Sequence, residues 1–138
     1  MTAPTARRSV GSMATWEDVG RIAAVRPDTA EHRPHEWAVH GRNFAWERPL
    51  RRRDLDELGD LAPDTPPLGF YVADEGEKLA LVGDEPSTFF TTAHFAGYPI
   101  VLARLDRVAV PELEELLEDA WLARAPQRLA QAFLDTTE

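Results

Sequence analysis

A chain of 138 residues with 43% hydrophobic content is long enough for one domain that buries a single core without staples. It contains no cysteine, which excludes disulfides, thiolate metal sites and cysteine nucleophiles. Its formal net charge of −9 favours solubility and disfavours a broad nucleic-acid footprint, which needs clustered basic surface.

Residues 1–13 are small, polar and unpatterned and are expected to form a disordered leader, with a single domain over residues 14–134. Arg7 and Arg8 are followed by no apolar segment, so they do not make a secretory signal. No apolar run approaches the roughly 20 residues of a membrane span, and a cytoplasmic protein is expected. Thr15 has the chemistry of an N-cap, and Trp16, Val19, Ile22 and Ala23 share one face, which predicts a helix over residues 16–25. Residues 29–34 read as a polar connector.

Alternation of Trp37 and Val39, then of Phe44 and Trp46, predicts an antiparallel hairpin over residues 35–40 and 43–47, joined at Gly41-Arg42. Residues 51–61 (RRRDLDELGDL) suit a short helix with Leu55 and Leu58 inward, and residues 62–67 a proline-rich turn. A strand is expected at residues 68–72. A helical piece at 75–82 carries Leu79 and Val82, with Gly83 as its C-cap.

Residues 89–105, FFTTAHFAGYPIVLARL, are the organising stretch. Gly97 is free to take φ > 0, and Pro99 restrains Tyr98 to an extended backbone, so His94, Phe95 and Tyr98 are held beside a core strand that begins at Ile100. A helix then starts near Pro111, with Leu113, Leu116, Leu117, Ala120 and Trp121 facing the sheet and Glu112, Glu115, Glu118 and Asp119 on the solvated side. Pro126 resets the chain, and Leu129, Ala132 and Phe133 give a shorter last helix. The order of elements predicts an α+β fold, a two-layer sandwich of an antiparallel sheet with N-terminal and C-terminal helices packed on it.

Three constellations could carry chemistry. His32 and His35 with Glu31 or Glu36 lack the rigid spacing of a metal site and read as solvated loop residues, and His94 reads first as a structural histidine. The aromatics, among them Trp46, Tyr71 and Tyr98, read first as core and second as the lining of a concave site. Arg48, Arg51, Arg52 and Arg53 form a basic run whose solvated reading has Asp54, Asp56 and Glu57 pairing with it. No phosphate loop, nucleophile elbow or zinc-protease helix is present, so no catalytic residue, metal or cofactor is assigned.

The tryptophan-containing first helix, WERPLRRRDLDELGD, FFTTAHFAGYPIVLARLD and ELEELLEDAWLARAPQRLA together resemble the MmcQ/YjbR family from about residue 15 to residue 133. The most specific pieces are the FF-x-T-x-H-F-x-G-Y-P block and the D-A-W-x-x-x-A-P-x-R-L block. The resemblance implies an antiparallel sheet with packed helices, similar to frataxin-like and secretion-chaperone-like domains, in proteins described as DNA-binding with a double-wing arrangement. The matching positions are His94, Gly97, Tyr98 and Pro99 in the loop, and Trp121, Pro126 and Arg128 near the end. Many relatives carry lysine where this chain has Gln127.

Three functions follow as expectations. A weak, non-specific DNA binder would touch phosphates through Arg42, Arg48, Arg51, Arg52, Arg53, Arg104 and Arg128. An adaptor or chaperone-like module would bind a protein partner across the sheet, as a monomer or homodimer and without a membrane. A small-ligand domain would use a pocket around Trp46, Tyr71, His94 and Tyr98.

Overall fold

The structure is a computed structural model in which residues 13–136 are described. Of the expected leader, residues 1–12 lie outside the described residues, whereas Met13 bridges Ala109 and the Ala14 N–H donates to the Val108 carbonyl at 2.8 Å.

Helix α1 (Trp16–Ala24) begins at a reciprocal cap. The Thr15 hydroxyl accepts the Asp18 N–H at 3.3 Å, and the Asp18 carboxylate accepts the Thr15 N–H at 3.0 Å. Val19, Ile22 and Ala23 are its buried face. Residues expected as a connector are instead an edge strand, β1 (Thr29–Arg33), antiparallel to β2 (Glu36–Val39). Four of its five residues are exposed, so backbone pairing rather than apolar burial holds it. β2 and β3 (Arg42–Glu47) form the expected hairpin, but it turns at His40-Gly41, both at positive φ (51° and 81°), the combination tight hairpins favour.

Helix α2 (Arg52–Leu58) and a 3₁₀ turn (Gly59–Leu61) lead to β4 (Leu68–Tyr71). The expected inward Leu55 is 44% exposed, because Asp54 takes the inward position to meet Arg48. In α3 (Glu75–Asp84), Leu79 is likewise exposed while Lys78 is buried, and Gly83 lies within the helix rather than capping it, a place taken by Glu85. Next come β5 (Phe89–Phe90), β6 (Ile100–Ala103), α4 (Val110–Arg124) and α5 (Gln127–Thr136). In α5 the packing residues are Leu129, Ala130 and Phe133; Ala132 is exposed.

The six strands form one antiparallel sheet in the order β1-β2-β3-β4-β6-β5, with α1 and α4 on one face: the fold is the expected α+β sandwich. Register separates the faces. Ala45, Phe70 and Val101 are cross-strand partners and face the helices, with Trp121 fully buried among them; its indole N–H reaches the Pro27 carbonyl and Thr29 Oγ1 at 3.1 and 3.0 Å. Their neighbours Trp46, Gly69, Leu102 and Phe90, also paired in register, face the other way into a smaller cluster with Phe95, Ile100, Leu50 and Leu58. Trp46 packs directly over Gly69, where a Cβ would come within 2.9 Å of the indole. This second face is where the organising loop sits. Among the described residues no helix is long and apolar enough to cross a membrane.

Candidate functional site

The segment between β5 and β6 is fastened from two sides. Its 3₁₀ turn, Ala93–Phe95, starts at an N–H that both Glu57 carboxylate oxygens accept at 3.1 Å. At its far end, the buried Lys78 Nζ donates to the carbonyls of Phe95 and Tyr98 at 2.8 and 2.7 Å. Gly97 takes φ 84°, as the turn from Phe95 to Tyr98 requires, and the Tyr98 N–H closes that turn on the Phe95 carbonyl at 3.0 Å. Phe95 is buried beneath the Arg48 guanidinium, which lies 5.2 Å from the ring centroid. His94 and Tyr98 remain exposed.

Beside this loop lies a cleft of about 710 Å³ lined by Arg48, Arg51, Arg52, Arg53, His94 and the three carboxylates of α2. The expected pairing of those acids with the arginine run is only partly met. Asp54 is turned inward, 3.4 Å from the Arg48 guanidinium and 2.9 Å from the Arg51 N–H. Glu57 is spent on Ala93. Among the described residues, the Arg51, Arg52 and Arg53 guanidiniums make no ion pair, and Asp56 is the carboxylate on this wall with no such commitment. The cleft therefore presents three guanidiniums without an ion pair beside an imidazole, with Asp56 as the exposed carboxylate that offsets them, a surface that can take an anion.

The other basic candidates lie elsewhere. Arg104 stacks over Phe90 at 4.5 Å and donates to the Leu61 carbonyl, so it holds the proline-rich turn; burial pushes its guanidinium pKa down. Arg42 reaches the Arg124 carbonyl at 3.4 Å near the junction of α4 and α5, and Arg128 is exposed on α5. The four expected pocket residues divide. Trp46 and Tyr71 touch each other with centroids 5.8 Å apart in the second cluster, His94 joins the arginine cleft, and Tyr98 projects from the same loop.

His35 is not a solvated loop residue. Its ring lies near-parallel to both Trp16 and Trp37, with centroids 4.9 and 5.8 Å away and the two indoles 6.3 Å from each other, and its Nδ1 lies 2.6 Å from Glu47. His32 approaches Glu36 at 3.6 Å, and among the described residues no group of three potential ligands is placed to hold a metal.

Sequence reasoning missed Lys78 and Arg124, the latter stacked on Tyr71 at 4.1 Å while its Nε donates to the Asn43 carbonyl at 3.0 Å, and it gave Glu57 to the arginines where the structure gives it to Ala93. Their partners are far along the chain, so local pattern carries no trace of them. A second groove runs between α3 and α4, with Glu77, Glu112, Glu115 and Asp119 around Leu81 and Leu122. Burial, then the neighbouring Glu85 and Glu115, push the Glu112 pKa up. Burial, then Glu118, Glu77 and Glu115, do the same to Asp119.

Compared with known proteins, residues 24–123 match the YjbR family. Uncharacterized proteins of Mycobacterium tuberculosis and Mycobacterium bovis are 52% identical over 125 residues, which covers 88% of this chain and 97% of theirs. No solved structure matches.

Proposed function

We propose, on the premise that this chain belongs to the YjbR family, that it binds the phosphate backbone of nucleic acid weakly and without sequence preference. The observation that supports this reading is the cleft wall of Arg51, Arg52 and Arg53, whose guanidiniums are exposed and paired with no carboxylate among the described residues. Guanidinium matches phosphate geometry, and cations that make no ion pair gain affinity by releasing condensed counterions.

The remaining charge of the chain opposes a large footprint. A net −9 repels a polyanion at long range; screening beyond about 8 Å at physiological salt weakens that repulsion at the patch, where the carboxylates of the same wall still subtract from the arginines. The affinity belongs in the non-specific range, ~10⁻⁴–10⁻⁶ M.

The test is a fluorescence titration with duplex and single-stranded DNA at low salt, repeated as salt is raised. Affinity should fall linearly on logarithmic axes, and Arg51→Ala/Arg52→Ala/Arg53→Ala should abolish binding while leaving the circular dichroism unchanged. Sub-micromolar, sequence-selective binding at physiological salt would overturn the reading. So would a triple variant that binds like the parent.

A further inference from the structure

We infer that the site prefers single-stranded nucleic acid, with Tyr98 as a stacking platform for an unpaired base; this rests on the proposed phosphate contact. Tyr98 is 59% exposed, on a segment whose backbone is firmly held. Its own carbonyl accepts the Lys78 ammonium at 2.7 Å, its N–H closes the turn on Phe95 at 3.0 Å, and Pro99 follows it. The backbone that carries the ring is thus fixed before any ligand arrives, so stacking costs little loop ordering.

The same loop supplies His94 to the arginine cleft, and Glu57 of α2 ties the loop to the helix that bears Arg52 and Arg53. His94 and Tyr98, four residues apart on this one loop, are both exposed; His94 lines the cleft, and Tyr98 lies outside its lining as the exposed aromatic ring next along the chain for a strand that leaves it. In a duplex the bases are stacked on each other and their faces are closed to such a ring. In a single strand they are open, and base–aromatic stacking adds to the electrostatic term without sequence preference.

Anisotropy with a labelled 15-nucleotide strand of mixed sequence, the same strand as a duplex, and the same backbone with abasic sites tests this on the full chain. The mixed strand should bind more tightly than either other probe at equal salt. Tyr98→Ala should weaken binding of that strand by about 5- to 150-fold, leave the duplex unchanged, and remove the difference from the abasic strand. Tyr98→Phe keeps the ring and should bind like the parent. Because Lys78 holds the backbone carbonyl and not the phenol, both variants should melt with the parent.

A Tyr98→Ala protein that binds the mixed strand like the parent, or a Tyr98→Phe protein that fails like the alanine variant, overturns the stacking platform. If that result comes with duplex binding still dependent on Arg51, Arg52 and Arg53, the phosphate reading stands and only the strand preference falls. If no probe binds the parent, both fall.

Discussion

Arg48 and Asp54 form an ion pair beneath α2, 3.4 Å apart, with side chains only 10% and 5% exposed. The same carboxylate accepts the Arg51 N–H, so one acid both compensates a buried cation and starts the helix. Removing it strands the Arg48 charge. Asp54→Ala should cost about 3–5 kcal/mol in urea unfolding, and adding Arg48→Met should restore much of the loss. A single variant within about 0.5 kcal/mol of the parent would show that Arg48 finds water instead.

Trp121 is fully buried and its indole N–H is satisfied by Pro27 and Thr29, which ties α4 to the entry of β1. Trp121→Ala should destabilise by about 3–5 kcal/mol, mostly from the cavity. Trp121→Phe should cost less, since it keeps most of the volume and leaves one carbonyl without its donor. Chemical denaturation of both variants separates packing from hydrogen bonding.

The acidic groove predicts a pH dependence of definite sign. Glu112 and Asp119 have raised pKa values in the folded state, so the native protein binds their protons more tightly than the unfolded chain. Their contribution is favourable at low pH and is lost as pH rises through the raised values. Asp119→Asn should therefore raise the Tm at pH 7, with the gain vanishing as pH falls below the ordinary carboxylate value of 3.8. Asp18 runs the other way: the Arg21 hydrogen bond, then Thr15, hold its pKa down, so its support for α1 is lost on acidification.

Gly69 lies under the Trp46 indole, with no room for a methyl group. Gly69→Ala must displace the ring, and overpacking of this kind costs about 1–3 kcal/mol. Equal melting temperatures for variant and parent would mean that the Trp46 side of the sheet repacks freely.

Where a side chain's reason for pointing inward was apolar and local, the sequence showed it. The β2–β3 hairpin alternates, and α4 repeats Leu113, Leu116, Leu117, Ala120 and Trp121 at helical spacing, so both were legible. β1 was not, because an edge strand with four exposed residues has no pattern to display. In α2 and α3, Leu55 and Leu79 were obvious inward residues, yet Asp54 and Lys78 took those places, while the expected Leu58 does pack inward. Lys78 answers to carbonyls 17 and 20 residues away, and Glu57 to an N–H 36 residues away. The cleft was half legible for the same reason: RPLRRR announced the cations, but which acids would leave them free depends on those distant partners.

Lys78 is also the chain's single lysine, in a protein whose other basic side chains, histidines aside, are all arginines. Amine-directed acylation of a side chain therefore has one target, and it is sealed beneath the Phe95 and Tyr98 carbonyls. Its labelling rate becomes a clock for opening of that loop, readable by intact mass with no probe introduced. A ligand that seats on the loop should slow the clock; a lysine-specific protease, with only the Lys78–Leu79 bond to cut inside α3, should keep the same time.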